Sequence, residues 1–484
     1  MNLKNILDGI EGLKAKGELD LEIEGIESNS KKIEKGFLFV AIKGFTVDGH
    51  EFIGSAIENG AVAVVVDELC DLKALKIPSN VTLIVAKDTR EFLALASANF
   101  YGNPSEKFKL IGITGTKGKT TTTFMIKEIL EKAGKKVGLI GTIATYINGR
   151  KIADSDRTTP ESLELQRMFA DMVKEGVEYV VMEVSSQSLK LHRVDGCHFD
   201  YVAFTNFSED HISEKEHPNM EDYLQSKLKL FKMCKTGFVN IDDLQGNKIP
   251  AMFPDSDITG YGIDNFGNFL AKDITITNSY VDFKAKIADR NERVKVDIPG
   301  RFTVYNALCA ICVCRKIGIE SQVMKEALEK IKVPGRSEMV ENKLEIPIMI
   351  DYAHSPESLQ NILQAVKSYT RGRVISVFGC GGDRDTRKRP IMGEISGKIA
   401  DYTIITSDNP RTEEPKSIVD QIEEGIKKTK GKYEVEVDRV KAITNAIKMA
   451  NKKDIIILAG KGHEPYQEIN GVKYPFDERI IVRD

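Results

Sequence analysis

Short apolar runs and amphipathic stretches alternate along this 484-residue chain. The first hundred or so residues carry two runs of strand length, "GFLFVAI" and "GAVAVVVDE", with "HEFIGSAIEN" at helical spacing between them. This pattern predicts a small α/β domain, closed by the turn formers of "YGNPSEKF". A second block opens on "KLIGITGT", a continuous apolar run, and continues with "KTTTTFMIKEILEKAG", which has helical periodicity and a terminal Gly. "KVGLIGTI", "VEYVVMEVSS" and "FDYVAFTNFS" read as further buried strands separated by helical segments. Apolar strands alternating with helices predict a parallel sheet covered on both faces. From about 255 to 298 the chain becomes polar and strand-rich, which predicts an antiparallel appendage. Past "IKVPGRSE" the alternation resumes with "IPIMIDY", "RVISVFG", "DYTIITS" and "DIIILAG", and predicts a second parallel sheet.

Composition narrows the class. The chain is 41% hydrophobic and 29% charged, ordinary for a globular protein, and its net charge of -3 argues against a nucleic-acid partner. No apolar run reaches membrane-spanning length, so no membrane insertion is expected. The N-terminus "MNLKNILDGIEGLKAKGELD" is mixed and charged, unlike a signal peptide, and the expected compartment is the cytoplasm. A monomer is expected. Of the seven cysteines, Cys309, Cys312 and Cys314 cluster in "NALCAICVCRK", with no second cluster to complete a metal site. They read as small apolar residues on a buried helix, with thiols kept reduced.

"GITGTKGKTTTT" joins the first strand of the second block to its helix. The backbone amides of such a turn, with the positive helix end, cradle phosphates. Gly115, Thr116, Lys117, Gly118, Lys119, Thr120 and Thr121 form this loop, with Lys119 reaching the β- and γ-phosphates and Thr120 ligating Mg²⁺. It departs from the common pattern, because Ile113 stands where the first Gly is usual. Glu183 in "VVMEVSS" and His211 in "FSEDHISEKEH" fall at strand ends, where a carboxylate and an imidazole can complete a magnesium shell around ATP. Either residue alone reads as a satisfied polar side chain at a strand edge. In "IITSDNPRTEEP", turn chemistry accounts for Asp408, Asn409 and Pro410, but not for a fixed cation, Arg411, where an apolar strand ends. Strand ends are where α/β sheets bind ligands.

Taken together, "GTKGKTT", "EVSS", the "DH" after an apolar strand, "PGRSE", "DYAHSPESL" and "GKGHE" resemble the Mur ligase family in content and order, over essentially the whole chain. That family comprises ATP-dependent amino-acid ligases that build the peptide of bacterial cell-wall precursors. "GCGGDRDTRKRPIMG" and "SDNPRTEEP" are similar to the members that add the third residue. The resemblance implies an α/β fold of three domains. They are an N-terminal UDP-MurNAc-binding domain (1–102), a central P-loop parallel-sheet ATPase domain (103–333) and a C-terminal Rossmann-like amino-acid-binding domain (334–484). It implies ATP and Mg²⁺ as cofactors. The implied substrates are UDP-N-acetylmuramoyl-L-alanyl-D-glutamate and meso-diaminopimelate, with L-lysine as the alternative amino acid.

By position, the resemblance implies substrate contacts at Ser30, Thr158, Thr159, Ser185 and Arg193. It implies ATP contacts at Asn306, Arg336, Asp351 and His354, and diaminopimelate contacts at Arg384, Asp408, Asn409, Pro410, Arg411, Gly460 and Glu464. Lys227 matches a lysine that the family carbamylates, which turns a cation into an anion able to bind magnesium; without the family it reads as a solvated helix lysine. The chain has Asn29-Ser30-Lys31 where the family often has Asp-Ser-Arg, and Lys holds a phosphate as a point charge rather than as a fork. Rival readings are a folylpolyglutamate synthase-like ligase and a switch-like nucleotide-binding protein.

Overall fold

Every position of the strands Val137–Ile140, Val374–Phe378 and Ile455–Ala459 is buried. Burial without alternation needs helices on both faces of a sheet. The computed structural model describes residues 1–72, 75–210, 212–213, 216–265, 267–287 and 290–483. The chain folds into two compact units, Met1–Gly267 with Cys312–Ile317, and Asn268–Ile311 with Gly318–Asp484.

The first unit contains two sheets. One runs in the order Lys14–Lys16, Thr82–Ala86, Ala63–Asp67, Phe37–Val40, Gly25–Glu27, parallel except for the antiparallel edge strand Lys14–Lys16. The two strands expected from "GFLFVAI" and "GAVAVVVDE" are both in it. In the other sheet the parallel strands run Asp257–Gly262, Thr236–Asn240, Tyr201–Phe204, Lys109–Thr114, Tyr179–Glu183, Val137–Ile140. Two antiparallel strands, Ala144–Ile147 and Arg150–Asp154, extend it beyond Val137–Ile140. Lys109–Thr114 lies between Tyr179–Glu183 and Tyr201–Phe204, which are consecutive strands in the chain. The connections therefore diverge at its carboxyl end and leave a crevice there. Helix Lys119–Lys132 covers one face and buries Met125, Ile126, Ile129 and Leu130. On the other face Leu165, Phe169, Leu228 and Phe231 pack on Leu110, Val180 and Val202.

The polar stretch differs from expectation at its start. Asp257–Gly262 pairs parallel with Thr236–Asn240 and belongs to the parallel sheet. Its first half is exposed to half-buried, so its composition resembles that of an antiparallel strand and only its partner sets its direction. The antiparallel strands are Phe269–Ile276, Val281–Ile287 and Arg290–Val296, in the second unit, with a bulge between Lys272 and Thr275. Cys309, Cys312 and Cys314 are buried on helix Arg301–Ile317, as expected. No helix among the described residues is long and apolar enough to cross a membrane.

The second unit is built on a sheet ordered Glu338–Met339, Ile348–Asp351, Ile455–Ala459, Val374–Phe378, Tyr402–Ile405, Tyr433–Val435, parallel except for its first pair. Alternate side chains of Ile455–Ala459 go to opposite faces. Ile455 and Ile457 share a core with helices Pro356–Tyr369 and Pro415–Ile426, while Ile456 and Leu458 meet helix Arg439–Met449. Asp351, Ala459, Phe378 and Ile405 are in register, so the four segments that follow these strands begin side by side. A two-stranded hairpin, Tyr466–Ile469 with Val472–Pro475, lies beyond the last parallel strand. Its half-exposed and exposed residues form no apolar run, and sequence periodicity does not reveal it.

Arg439 ties two of those strand ends together. Its guanidinium is fully buried and donates to the carboxylate of Glu478 (2.8 Å), to the carbonyl of Ser407 (3.1 Å) and to the carbonyl of Ala459 (3.0 Å). Removing one partner of a buried pair leaves the other charge uncompensated. Arg439→Ala is expected to cost about 3–5 kcal/mol, read as a lower midpoint of urea unfolding by circular dichroism. An unchanged midpoint would show that the pair does not hold these strand ends.

Candidate active site

The glycine-rich loop follows strand Lys109–Thr114. Gly115 has φ +140°, and a Cβ there would stand 2.0 Å from the Thr205 hydroxyl, so only glycine fits. Gly118, at φ +85°, precedes helix Lys119–Lys132 and aims the first free amides of the helix at the loop. Lys117 is pinned through its amide to Asn206 (2.9 Å) and through its ammonium to Asp210 (2.8 Å). Thr116 accepts from the Tyr223 hydroxyl (3.2 Å) and from the Ser208 amide (3.1 Å). Lys119 folds back over the loop and donates to the carbonyls of Gly115 (2.9 Å) and Thr116 (3.0 Å). Thr121 is buried in the first turn of the helix.

Glu183 ends the neighbouring strand and is 1% exposed. Its carboxylate accepts from the Thr120 hydroxyl (3.0 Å), the Thr142 amide (2.8 Å) and the Thr142 hydroxyl (3.1 Å). Gly141 makes room for it, since a Cβ there would lie 2.3 Å from the Glu183 Oε1. Thr158 reaches the same cluster through Thr142 (3.1 Å). Thr159 donates to the Glu183 carbonyl (2.9 Å) and accepts from the Ser185 amide (3.1 Å). Arg193 donates to the Thr159 carbonyl (3.2 Å) and pairs with Glu161 (2.9 Å).

Lys227 is not solvated. It is 1% exposed, donates to the Gly115 carbonyl (2.8 Å) and lies 4.4 Å over the Tyr223 ring. Burial holds its amine well below the ordinary lysine range, and the neighbouring Lys119 charge acts in the same direction. Two lysines thus converge on one backbone carbonyl, that of Gly115, in the glycine-rich loop. His211 lies outside the described residues. Ser30 is placed elsewhere in the unit, on a 3₁₀ turn beside the five-stranded sheet, where its carbonyl accepts from Asn59 (2.9 Å).

The donor set suits a nucleoside triphosphate with a hard cation. Helix amides and the Lys119 ammonium face the loop, and the Thr120 hydroxyl and Glu183 carboxylate offer oxygen ligands.

In the second unit, three strand-end segments come together. Asn409 is the hub, accepting from the Lys461 ammonium (3.0 Å) and the Glu468 amide (3.0 Å) and donating to Glu464 (2.8 Å). Lys461 is fully buried, and its amine is held below the usual lysine range by that burial. Burial lifts the Glu464 carboxyl above the usual range, while Lys461 pulls it the other way. Gly460, at φ +112°, lets the Asp408 carboxylate approach, because a Cβ there would be 2.5 Å from Oδ2. Pro410 packs on Gly382, where a Cβ would meet the Pro410 carbonyl at 1.9 Å. Arg411 donates to the Gly382 carbonyl (2.8 Å) and pairs with Glu468 (3.2 Å). Arg384 is exposed, and Gly381 lies against both arginines.

Arg336 stacks 4.8 Å over the Tyr352 ring, Asp351 accepts from the amides of Ser337 (2.8 Å) and Ala353 (2.9 Å), and His354 packs edge-on to Tyr352. Asn306 is buried on helix Arg301–Ile317.

Several residues of these sites escape a reading of the sequence. Thr142 shares the Glu183 carboxylate, and the only signal for it is a Gly-Thr pair after an apolar strand. His217 is fully buried between Asp222 (2.6 Å) and the Ser186 hydroxyl (2.9 Å), yet resembles any other polar residue in "SEKEH". Lys461 and Glu468 flank motif residues without being singled out by charge or spacing.

Three family models match along the chain: "Mur ligase family, catalytic domain" at residues 22–101, "Mur ligase middle domain" at 113–314 and "Mur ligase, glutamate ligase domain" at 335–462. The UDP-N-acetylmuramoyl-L-alanyl-D-glutamate–2,6-diaminopimelate ligase of Caldanaerobacter subterraneus subsp. tengcongensis is 49% identical, with 100% of this chain and 98% of that protein aligned. The protein of the same name from Clostridium botulinum is 46% identical over 100% of this chain and 99% of its own length. A solved structure of a ligase of that name superposes with a TM-score of 0.72 at 28% identity, covering 100% of this chain and 98% of the other. On models that run from residue 22 to 462 and relatives nearly half identical from end to end, this chain belongs to the Mur ligase family.

Proposed function

We propose that this chain is the ATP-dependent, ADP-forming ligase that joins meso-2,6-diaminopimelate to UDP-N-acetylmuramoyl-L-alanyl-D-glutamate in peptidoglycan precursor synthesis. Full-length relatives carrying that name support the reading. The observation that carries the choice of amino acid is Arg411, a guanidinium held at a strand end beside Asp408, Asn409, Gly460 and Glu464. Diaminopimelate and lysine have nearly the same length, but only the former ends in a second carboxylate. A guanidinium–carboxylate pair is worth about 1.5–3 kcal/mol per charge-assisted bond, or one to two decades of preference.

In this reading residues 1–102 take the UDP end, with Ser30 at the sugar nucleotide, residues 103–333 handle ATP, and residues 334–484 receive the amino acid. Forming an amide in water is uphill, so the γ-carboxylate of the D-Glu residue is first activated by attack on the γ-phosphorus of ATP. ADP leaves and an acyl phosphate remains. Lys119 and the helix amides neutralise and orient the phosphates. Mg²⁺, when bound, supplies charge neutralisation, held by Thr120, Glu183, His211 and a carbamate on Lys227. Thr158, Thr159, Ser185 and Arg193 orient the dipeptide arm. Asn306, Arg336, Asp351 and His354 contribute to the nucleotide site from the later part of the chain. The amine of diaminopimelate attacks the acyl carbon, and the tetrahedral intermediate collapses with loss of phosphate.

Lys119→Ala is expected to lower phosphate release by at least a hundredfold with an unchanged circular dichroism spectrum, since its ammonium donates to carbonyls of the loop itself. Turnover within tenfold of wild type would reject the phosphate-loop assignment. For Lys227, a neutral amine adds CO₂ to give a carbamate and a proton, and burial favours the neutral amine. Lys227→Ala should lose activity and regain part of it with added formate or acetate, which can fill the vacated anion site. A free amine in crystals of the active, magnesium-bound enzyme would count against the carbamate. Arg411→Ala should raise the apparent KM for meso-diaminopimelate by ten- to a hundredfold and leave that for lysine nearly unchanged. A wild-type preference for L-lysine in an amino-acid panel would overturn the substrate assignment.

A further inference from the structure

Arg411 is an unusual residue at an unusual backbone position. Its φ is +51°, in the left-handed region that non-glycine residues seldom adopt. Its surroundings explain how it stays there. The Arg411 amide donates to the Glu468 carbonyl (3.0 Å), and the Asn470 amide donates to the Arg411 carbonyl (2.8 Å). The residue is thus bridged in parallel fashion to Ile469 of the hairpin Tyr466–Pro475. The hairpin holds the preceding turn residues as well. Gln467 Nε2 donates to the Asp408 carbonyl (2.6 Å), and the Glu468 amide donates to Asn409 Oδ1 (3.0 Å).

The side chain is held by the same hairpin. A guanidinium carries five N–H donors in one plane. In Arg411, Nε pairs with the Glu468 carboxylate (3.2 Å) and Nη1 donates to the Gly382 carbonyl (2.8 Å). Nη2 makes no hydrogen bond among the described residues, and Nη1 retains a second donor. Nη2 and one hydrogen of Nη1 therefore remain as donors for a carboxylate. Glu468 occupies a different part of the fork. Both side chains are about one-fifth to one-quarter exposed, at 21% and 25%, so the pair is neither core nor free surface.

We propose that Glu468 is a specificity-determining positioning residue, which fixes the Arg411 guanidinium so that its remaining Nη donors select an amino acid with a distal carboxylate. The inference rests on the reading of Arg411 given above. Without the Glu468 carboxylate the long arginine stem regains rotamers, and these donors are no longer pre-oriented. The opposite effect is also physically reasonable, since an acid beside Arg411 competes with an acidic substrate by charge. The two effects have opposite signs and can be separated by experiment.

The test uses the full-length enzyme in a phosphate-release assay, comparing meso-diaminopimelate with L-lysine for wild type, E468A, E468Q, R411A and the double variant R411A/E468A. Melting curves accompany each variant. If Glu468 positions Arg411, E468A raises KM for diaminopimelate about tenfold, with kcat changed less than threefold and KM for lysine unchanged. E468Q, whose amide oxygen can still accept from Nε, recovers most of the selectivity. In the R411A background E468A has no further effect on the diaminopimelate-to-lysine ratio. The inference is overturned if E468A and E468Q both tighten diaminopimelate binding, which is the charge-competition outcome. It is equally overturned if both amino acids suffer alike, if E468A is as damaging without Arg411 as with it, or if E468A and E468Q both fail to fold. If wild type prefers diaminopimelate and R411A abolishes that preference while E468A does not, only the role of Glu468 fails. If wild type shows no preference for diaminopimelate, the substrate assignment fails first.

Discussion

A parallel strand buried on both faces leaves little room along its length for a charged side chain, so such chemistry is placed at its ends. This constraint organises both units. Lys109–Thr114 is apolar from Leu110 to Ile113 and Tyr179–Glu183 from Val180 to Met182, and the glycine-rich loop and Glu183 follow there. Asp351, Ala459, Phe378 and Ile405 end in register, and the segments "DYAH", "GKGHE", "GCGGDRD" and "SDNPR" emerge next to one another from positions far apart in the chain. The sheet supplies a flat, rigid row of exit points, and the loops supply the charges.

Placing charges beside a dry sheet incurs desolvation, and the structure offsets it by sharing partners. Glu183 accepts three hydrogen bonds in place of water. Lys461 is fully buried between the Asn409 amide and the rings of Tyr466 and Phe476. Among the described residues Lys227 meets one carbonyl and one aromatic face, and burial holds its amine well below the ordinary lysine range. The same burial that would be a defect in a structural lysine would suit the carbamate proposed for Lys227.

Close approach is the second recurring device. Gly115, Gly141, Gly381, Gly382 and Gly460 each stand where a Cβ would collide with a loop or site atom. They let the backbones of neighbouring strand-end segments meet, so that a hub such as Asn409 can reach three partners at once. Arg439 secures the arrangement by binding the carbonyls of Ser407, the first residue of "SDNPR", and Ala459, the residue just before "GKGHE".

The sequence by itself determined the parts that depend on local pattern. Continuous apolar runs marked most of the parallel strands, and "GTKGKTT" after such a run marked the glycine-rich loop between strand and helix, because both signals lie within a few consecutive residues. Arg411 could be marked as anomalous for the same reason. Other features were settled only by tertiary structure. The direction of Asp257–Gly262 is set by its neighbour Thr236–Asn240, not by its polar composition. Lys227 has the sequence environment of a solvated helix residue, yet it is buried because its helix turns it onto the loop that contains Gly115. Thr142 and Glu183, 41 residues apart, share a carboxylate, and Arg411 and Glu468, 57 residues apart, share an ion pair. No local pattern encodes such pairings, because the energy that selects them is the burial of the sheet between them.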